Sequence, residues 1–162
     1  MDISSLIALF GEQAGTPLTL TEGGTLALAF DNDLTLNLEH DASQDVLHLY
    51  AIVGQEPADH TARARFYRQL LTANVFGHET GGAALGVDDL SGEVLLTWRL
   101  PLAGADVGVL RDAVQSMVAT AASWRERLVA PGGGAGDLAA NVPDALVPQS
   151  FISPLAKFDF RA

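Results

Sequence analysis

Apolar positions along this chain alternate between two periods, and the changes of period outline its elements. Ile3, Leu6, Ile7, Phe10 and Ala14 fall at helical spacing behind Asp2, a usable N-cap, and Gly15 closes the stretch before Pro17. The period then drops to two. Leu26-Ala27-Leu28-Ala29-Phe30 and Leu34-Thr35-Leu36-Asn37-Leu38-Glu39-His40 flank Asp31-Asn32-Asp33, and the second run alternates leucine with polar residues. This pattern predicts a hairpin with one buried face. A third run, Val46 to Val53, is apolar almost throughout and is expected inside the sheet.

A second helix is read over Arg65 to Asn74, with Phe66, Tyr67, Leu70 and Leu71 on one stripe and Asn74 suited to a left-handed helix end. After Gly81-Gly82, two short runs around Asp88-Asp89-Leu90-Ser91-Gly92 form a second hairpin that stops at Pro101. The last helix carries the cleanest period. Val107, Leu110, Val114, Met117, Ala121, Trp124 and Leu128 lie on one stripe behind Asp106, and a helix lying across a sheet explains them more simply than a coiled coil. The expected fold is therefore α+β, in the order α-β-β-β-α-β-β-α, with a mostly antiparallel sheet packed with helices.

Leu70-Leu71, Ala73-Asn74, Gly77, Thr80-Gly81-Gly82, Leu85-Gly86-Val87-Asp88, Gly92-Glu93-Val94 and Leu100-Pro101-Leu102 precede a long helix carrying Trp124. Each piece is a helix end or turn that many folds need, but their order and spacing resemble the Tir chaperone (CesT) family, class I chaperones of bacterial type III secretion. The resemblance covers about residues 1 to 129. It implies the same element order and a cytoplasmic homodimer that binds the N-terminal segment of a secreted effector in extended, non-globular form, keeping it export-competent without ATP. It further implies that the second helix and the strand after it form the shared interface, a role that falls here to Phe66, Tyr67, Leu70, Leu71 and Val75.

Composition narrows the alternatives. The 162 residues are 48% apolar and contain no cysteine, so one ordinary core is affordable while disulfides and thiolate metal sites are excluded. No basic leader opens the chain and no apolar run approaches the ~20 residues of a membrane span. The net charge is −11, and the first 62 residues hold ten acids and no Lys or Arg. Such a surface cannot assemble the basic patch that nucleic acid or an anionic membrane requires, but it leaves a neutral or basic protein partner open.

Candidates for client contact are Ile3, Leu6, Ile7 and Phe10 on the first helix, Leu26, Leu28, Leu34, Leu36 and Leu38 on the early hairpin, and Leu95 and Trp98 on the later one. Each also suits the chain's own core, because one sequence does not say which face of a strand is covered. Catalysis finds little support. The four histidines lie in no nucleophile elbow or phosphate loop, and His78-Glu79 before Gly81-Gly82 reads as a turn, with too few ligands for a metal. No catalytic group, cofactor or metal is expected. The rival readings are an adaptor or immunity-type protein-binding domain of the same fold, and a small-ligand or catalytic domain using the His78 loop.

The chaperone-like domain is expected over residues 1–130, followed over 131–162 by a Gly/Pro-rich linker and an apolar tail. Phe151 to Phe160 holds three of the seven phenylalanines, so it is expected to pack in extended form on its own or a neighbouring subunit, in a place the client would use.

Overall fold

The structure, a computed structural model, describes residues 2–30 and 33–129 and the backbone of Ala156 and Lys157. Its elements follow the expected order: α1 (Ile3–Gln13), β1 (Thr25–Phe30), β2 (Leu34–Asp41), β3 (Val46–Gln55), α2 (His60–Ala73), β4 (Ala84–Val87), β5 (Glu93–Pro101) and α3 (Val107–Val129), with a two-residue β6 (Ala156–Lys157) added. Asp2 caps α1, its carboxylate accepting from the Ser5 backbone N–H at 3.0 Å. The strands make a sheet in the order β4-β5-β3-β2-β1-β6, antiparallel throughout except for β6, which runs parallel to β1.

Register places the core on one face. Leu26 pairs with Leu38, Leu38 with Leu49 and Leu49 with Trp98, an apolar row across four strands. Over it lies α3, against β3, β2 and β5, with α1 beside it. Of the seven stripe residues of α3, Leu110, Val114, Met117, Ala121, Trp124 and Leu128 are buried and Val107 packs at the margin. The alternate strand positions, among them Ala27, Asn37, Tyr50, Ile52, Leu95 and Thr97, are half-buried or exposed.

Two local expectations are corrected. The second helix starts at His60, ahead of its apolar stripe, because Asp59 caps it by accepting from the N–H groups of Thr61 and Ala62 at 3.3 and 2.9 Å. Asn74 is not left-handed: it keeps helical dihedrals (φ −72, ψ −16), and the reversal falls on Phe76 (φ 55) and Gly77 (φ 66). Tertiary bonding of the Asn74 side chain, described below, holds it there. At Gly77 a Cβ would sit 2.8 Å from the Gly82 Cα, so the loop closes only around glycine. The linker at 131–136, the stretch 138–149, and Phe151 to Leu155 and Phe158 to Phe160 of the tail lie outside the described residues.

Candidate protein-binding site

The polar, arginine-rich helix α2 divides its apolar residues between two faces. Phe66, Leu70 and Ala73 are buried and join the core. For Phe66 and Leu70 the interface expectation is therefore corrected: they cover their own sheet, four residues apart on the inward stripe. Tyr67, Leu71 and Val75 stand on the other face, with Leu71 69% and Val75 54% exposed. Phe76 extends this row and is 91% exposed, its ring edge-on to His78 at 6.1 Å between centroids. Phe76 is not among the interface residues expected from the sequence. An aromatic residue immediately before a glycine that ends a helix was the available signal.

The row is braced at its start. Glu56 accepts a hydrogen bond from the Tyr67 hydroxyl and pairs with Arg63 at 3.1 Å, and its carboxylate pushes the Tyr67 phenol above its ordinary pKa. Arg63 also donates to the Pro57 carbonyl at 2.8 Å, which ties α2 to the end of β3. Aromatic rings and aliphatic side chains displayed on α2 and the turn after it form a surface ready to be covered.

The two borders of the antiparallel sheet differ. On the outer side of β4 the Asn74 amide stands in for a neighbouring strand: its Nδ2 donates to the Leu85 carbonyl at 2.9 Å and its Oδ1 accepts from the Leu85 N–H at 2.8 Å. That border is short and plugged. β1 has no comparable side-chain plug among the described residues, and its outer neighbour is β6, through the pairs Leu28↔Ala156 and Ala29↔Lys157.

The residues expected to meet a client divide sharply. Leu6, Ile7, Phe10, Leu26, Leu28, Leu34, Leu36 and Leu38 are all at most 4% exposed. Their side chains face the chain's own core, since α1 turns its stripe toward α3 and the hairpin leucines share the helix-covered face; this corrects their assignment as contact residues. Ile3 and Trp98 are partly buried against the core margin, Trp98 beside Gly82. Leu95 is half-buried on the opposite face, paired with the exposed Ile52.

The His78-Glu79 loop is a docked turn. The Trp124 indole donates to the Glu79 carbonyl at 2.9 Å and Arg127 binds the Glu79 carboxylate at 2.7 Å while lying over the Trp124 ring. Its acid is already engaged in holding the loop to α3. Among the described residues no group of three or more His, Asp or Glu is placed to hold a metal ion, and no helix is long and apolar enough to cross a membrane.

Comparison with known proteins gives this geometry its relatives. The model of the Tir chaperone protein (CesT) family matches residues 5–125. A Chlamydia pneumoniae protein designated only by locus is 28% identical over 99 residues, spanning 60% of this chain and 74% of its own length. A chain of the ExsC–ExsE complex matches with a TM-score of 0.64 at 26% identity, covering 78% of this chain and 96% of that one. The HopA1–SchA chaperone–effector complex gives 0.61 at 23% identity, with 78% and 98% covered. The Yersinia pestis type III secretion chaperone SycH, bound to a fragment of YscM2, gives 0.58 at 20%, with 75% and 98% covered. With about three quarters of its residues inside the family match, the chain belongs to the Tir chaperone protein (CesT) family.

Proposed function

We propose that this chain is a cytoplasmic, non-catalytic type III secretion chaperone that holds the N-terminal segment of an effector in extended form. The observation that carries the reading is the family match over residues 5–125, joined to a fold shared with the HopA1–SchA chaperone–effector complex. Physical features support it. A second copy covers Tyr67, Leu71, Val75 and Phe76, which are too apolar and too rigidly displayed to be left in water. The client uses sheet-edge pairing and the half-exposed face around Leu95 and Ile52, with Ile3 and Trp98 at the core margin, so that main-chain hydrogen bonds supply affinity and a few apolar side chains supply selection. The acidic surface, at net charge −11, favours clients with basic stretches and disfavours association with other acidic chaperones. The domain ends near residue 130, and the linker and apolar tail of residues 131–162 follow it in the sequence, with Ala156 and Lys157 paired to β1.

The test is co-expression with the first ~100 residues of candidate effectors, followed by mass measurement of the purified complex. A complex of two chaperone copies with one protease-sensitive, non-globular effector segment is expected. Recovery of the chain alone against every effector of its bacterium would overturn the reading.

A further inference from the structure

The two borders of the sheet suit different fates. At β4 the strand is four residues long and the Asn74 amide occupies the backbone groups of Leu85. At β1 the strand is Thr25-Leu26-Ala27-Leu28-Ala29-Phe30, and its register with β2 runs unbroken over six pairs. It has no proline, charged residue or bulge, the devices by which edge strands avoid pairing with other chains. The backbone on its outer side is met by Ala156 and Lys157 of the same chain, which pair in parallel with Leu28 and Ala29. A parallel partner needs a long crossover, and the 26 residues from 130 to 155 are enough for one: a chain of that length reaches ~85 Å, against ~35 Å for the length of α3.

We propose that the outer edge of β1 is a strand-accepting site whose resident occupant is this chain's own segment at Ala156–Lys157, and that an extended client strand must displace it. The first half rests on the pairing alone; the second rests on the chaperone reading above. A resident strand blunts an edge that otherwise invites aggregation, and tethering keeps its effective concentration high. Among the described residues it covers two of the six residues of β1, and a client pairing along the full strand wins by length. The occupant also defines the direction of the guest: an extended segment that runs parallel to β1.

The cysteine-free background makes the test direct. The full-length variant Ala29→Cys/Lys157→Cys joins partners in register and is compared with Ala29→Cys/Gly136→Cys, tethered but out of register. Under mild oxidant the first is expected to cross-link within one copy, at least about tenfold faster than the second. Equal rates, or a cross-link formed between copies, overturn the resident strand. In a second arm a labelled peptide of residues 151–162 is titrated onto the full-length Ala156→Pro/Lys157→Pro variant, in which both backbone donors are gone. That variant is expected to bind the peptide about tenfold more tightly than the parent chain, and the oxidised double-cysteine variant is expected not to bind until reduced. Equal binding by all three forms overturns the proposal. Neither arm uses an effector, so a failed effector capture counts against the chaperone reading alone.

Discussion

Replacing Phe76 by asparagine should move two quantities in opposite directions. Phe76 sits at φ 55 with its ring 91% exposed, so it bears a left-handed backbone with only an edge contact to His78 inside its own chain. Asparagine tolerates that conformation, and the substitution should raise the stability of the isolated subunit by about 1 kcal/mol. The dimer should suffer. Burying a phenylalanine from full exposure is worth ~2–3 kcal/mol, and a two-fold interface counts each residue twice, so losing the ring should cost about 4 kcal/mol and weaken self-association ~10³-fold. Sedimentation equilibrium gives the dissociation constant, and urea unfolding at several protein concentrations, extrapolated to the dissociated subunit, gives its stability. A dissociation constant within about threefold of the parent, or a subunit made less stable, would refute the assignment of Phe76 to the interface.

Three further predictions follow from single positions. Gly77→Ala places a Cβ 2.8 Å from the Gly82 Cα at φ 66 and should lower stability by about 2–4 kcal/mol in urea unfolding; a loss below ~1 kcal/mol would mean the loop relaxes freely. Asn74→Asp removes the donor to the Leu85 carbonyl and should cost ~2 kcal/mol, with faster amide exchange at Leu85, whereas unchanged exchange there would show that the β4 edge is not held by this side chain. The carboxyls of Asp2, Asp41 and Asp88 are held below the usual range, mainly by hydrogen bonds from Ser5, Ser43 and the Ser91 backbone respectively. Because their folded-state values are depressed, their stabilisation is present above the unfolded carboxylate pKa and is lost as pH falls from about 5 through the folded values. Asp41→Asn and Asp88→Asn should therefore flatten the acid limb of Tm against pH, and an unchanged limb would contradict it.

What the chain disclosed in advance depended on where periodicity spoke without competition. The stripe of α3 was legible because six of its seven residues are buried by one flat neighbour, the sheet, which imposes a single spacing. The start of α2 was hidden: His60-Thr61-Ala62-Arg63-Ala64 has no apolar rhythm, and the Asp59 cap with the Arg63 contacts holds it instead. Tyr67 and Leu71 looked identical to Phe66 and Leu70 as letters, since adjacent residues on a helix differ by about 100° in direction and both pairs lie near one stripe. Tertiary packing, with α2 against β4, decided which pair went inside. Leu26 through Leu38 posed the same difficulty in a sheet: alternation announced one covered face, but which partner covered it, client or α3, lay in tertiary structure. The left-handed residue was placed at Asn74 by local preference, and the Leu85 backbone outcompeted that preference.

Padding the sheet with helices over the face of Leu28, Leu36, Leu49 and Leu96 splits each strand into two kinds of residue. Those leucines are confined by volume, whereas their immediate neighbours Ala27, Asn37, Tyr50 and Leu95 are free to vary with whatever meets them from outside. Every other letter of a strand can thus be rewritten while the scaffold beneath stays intact.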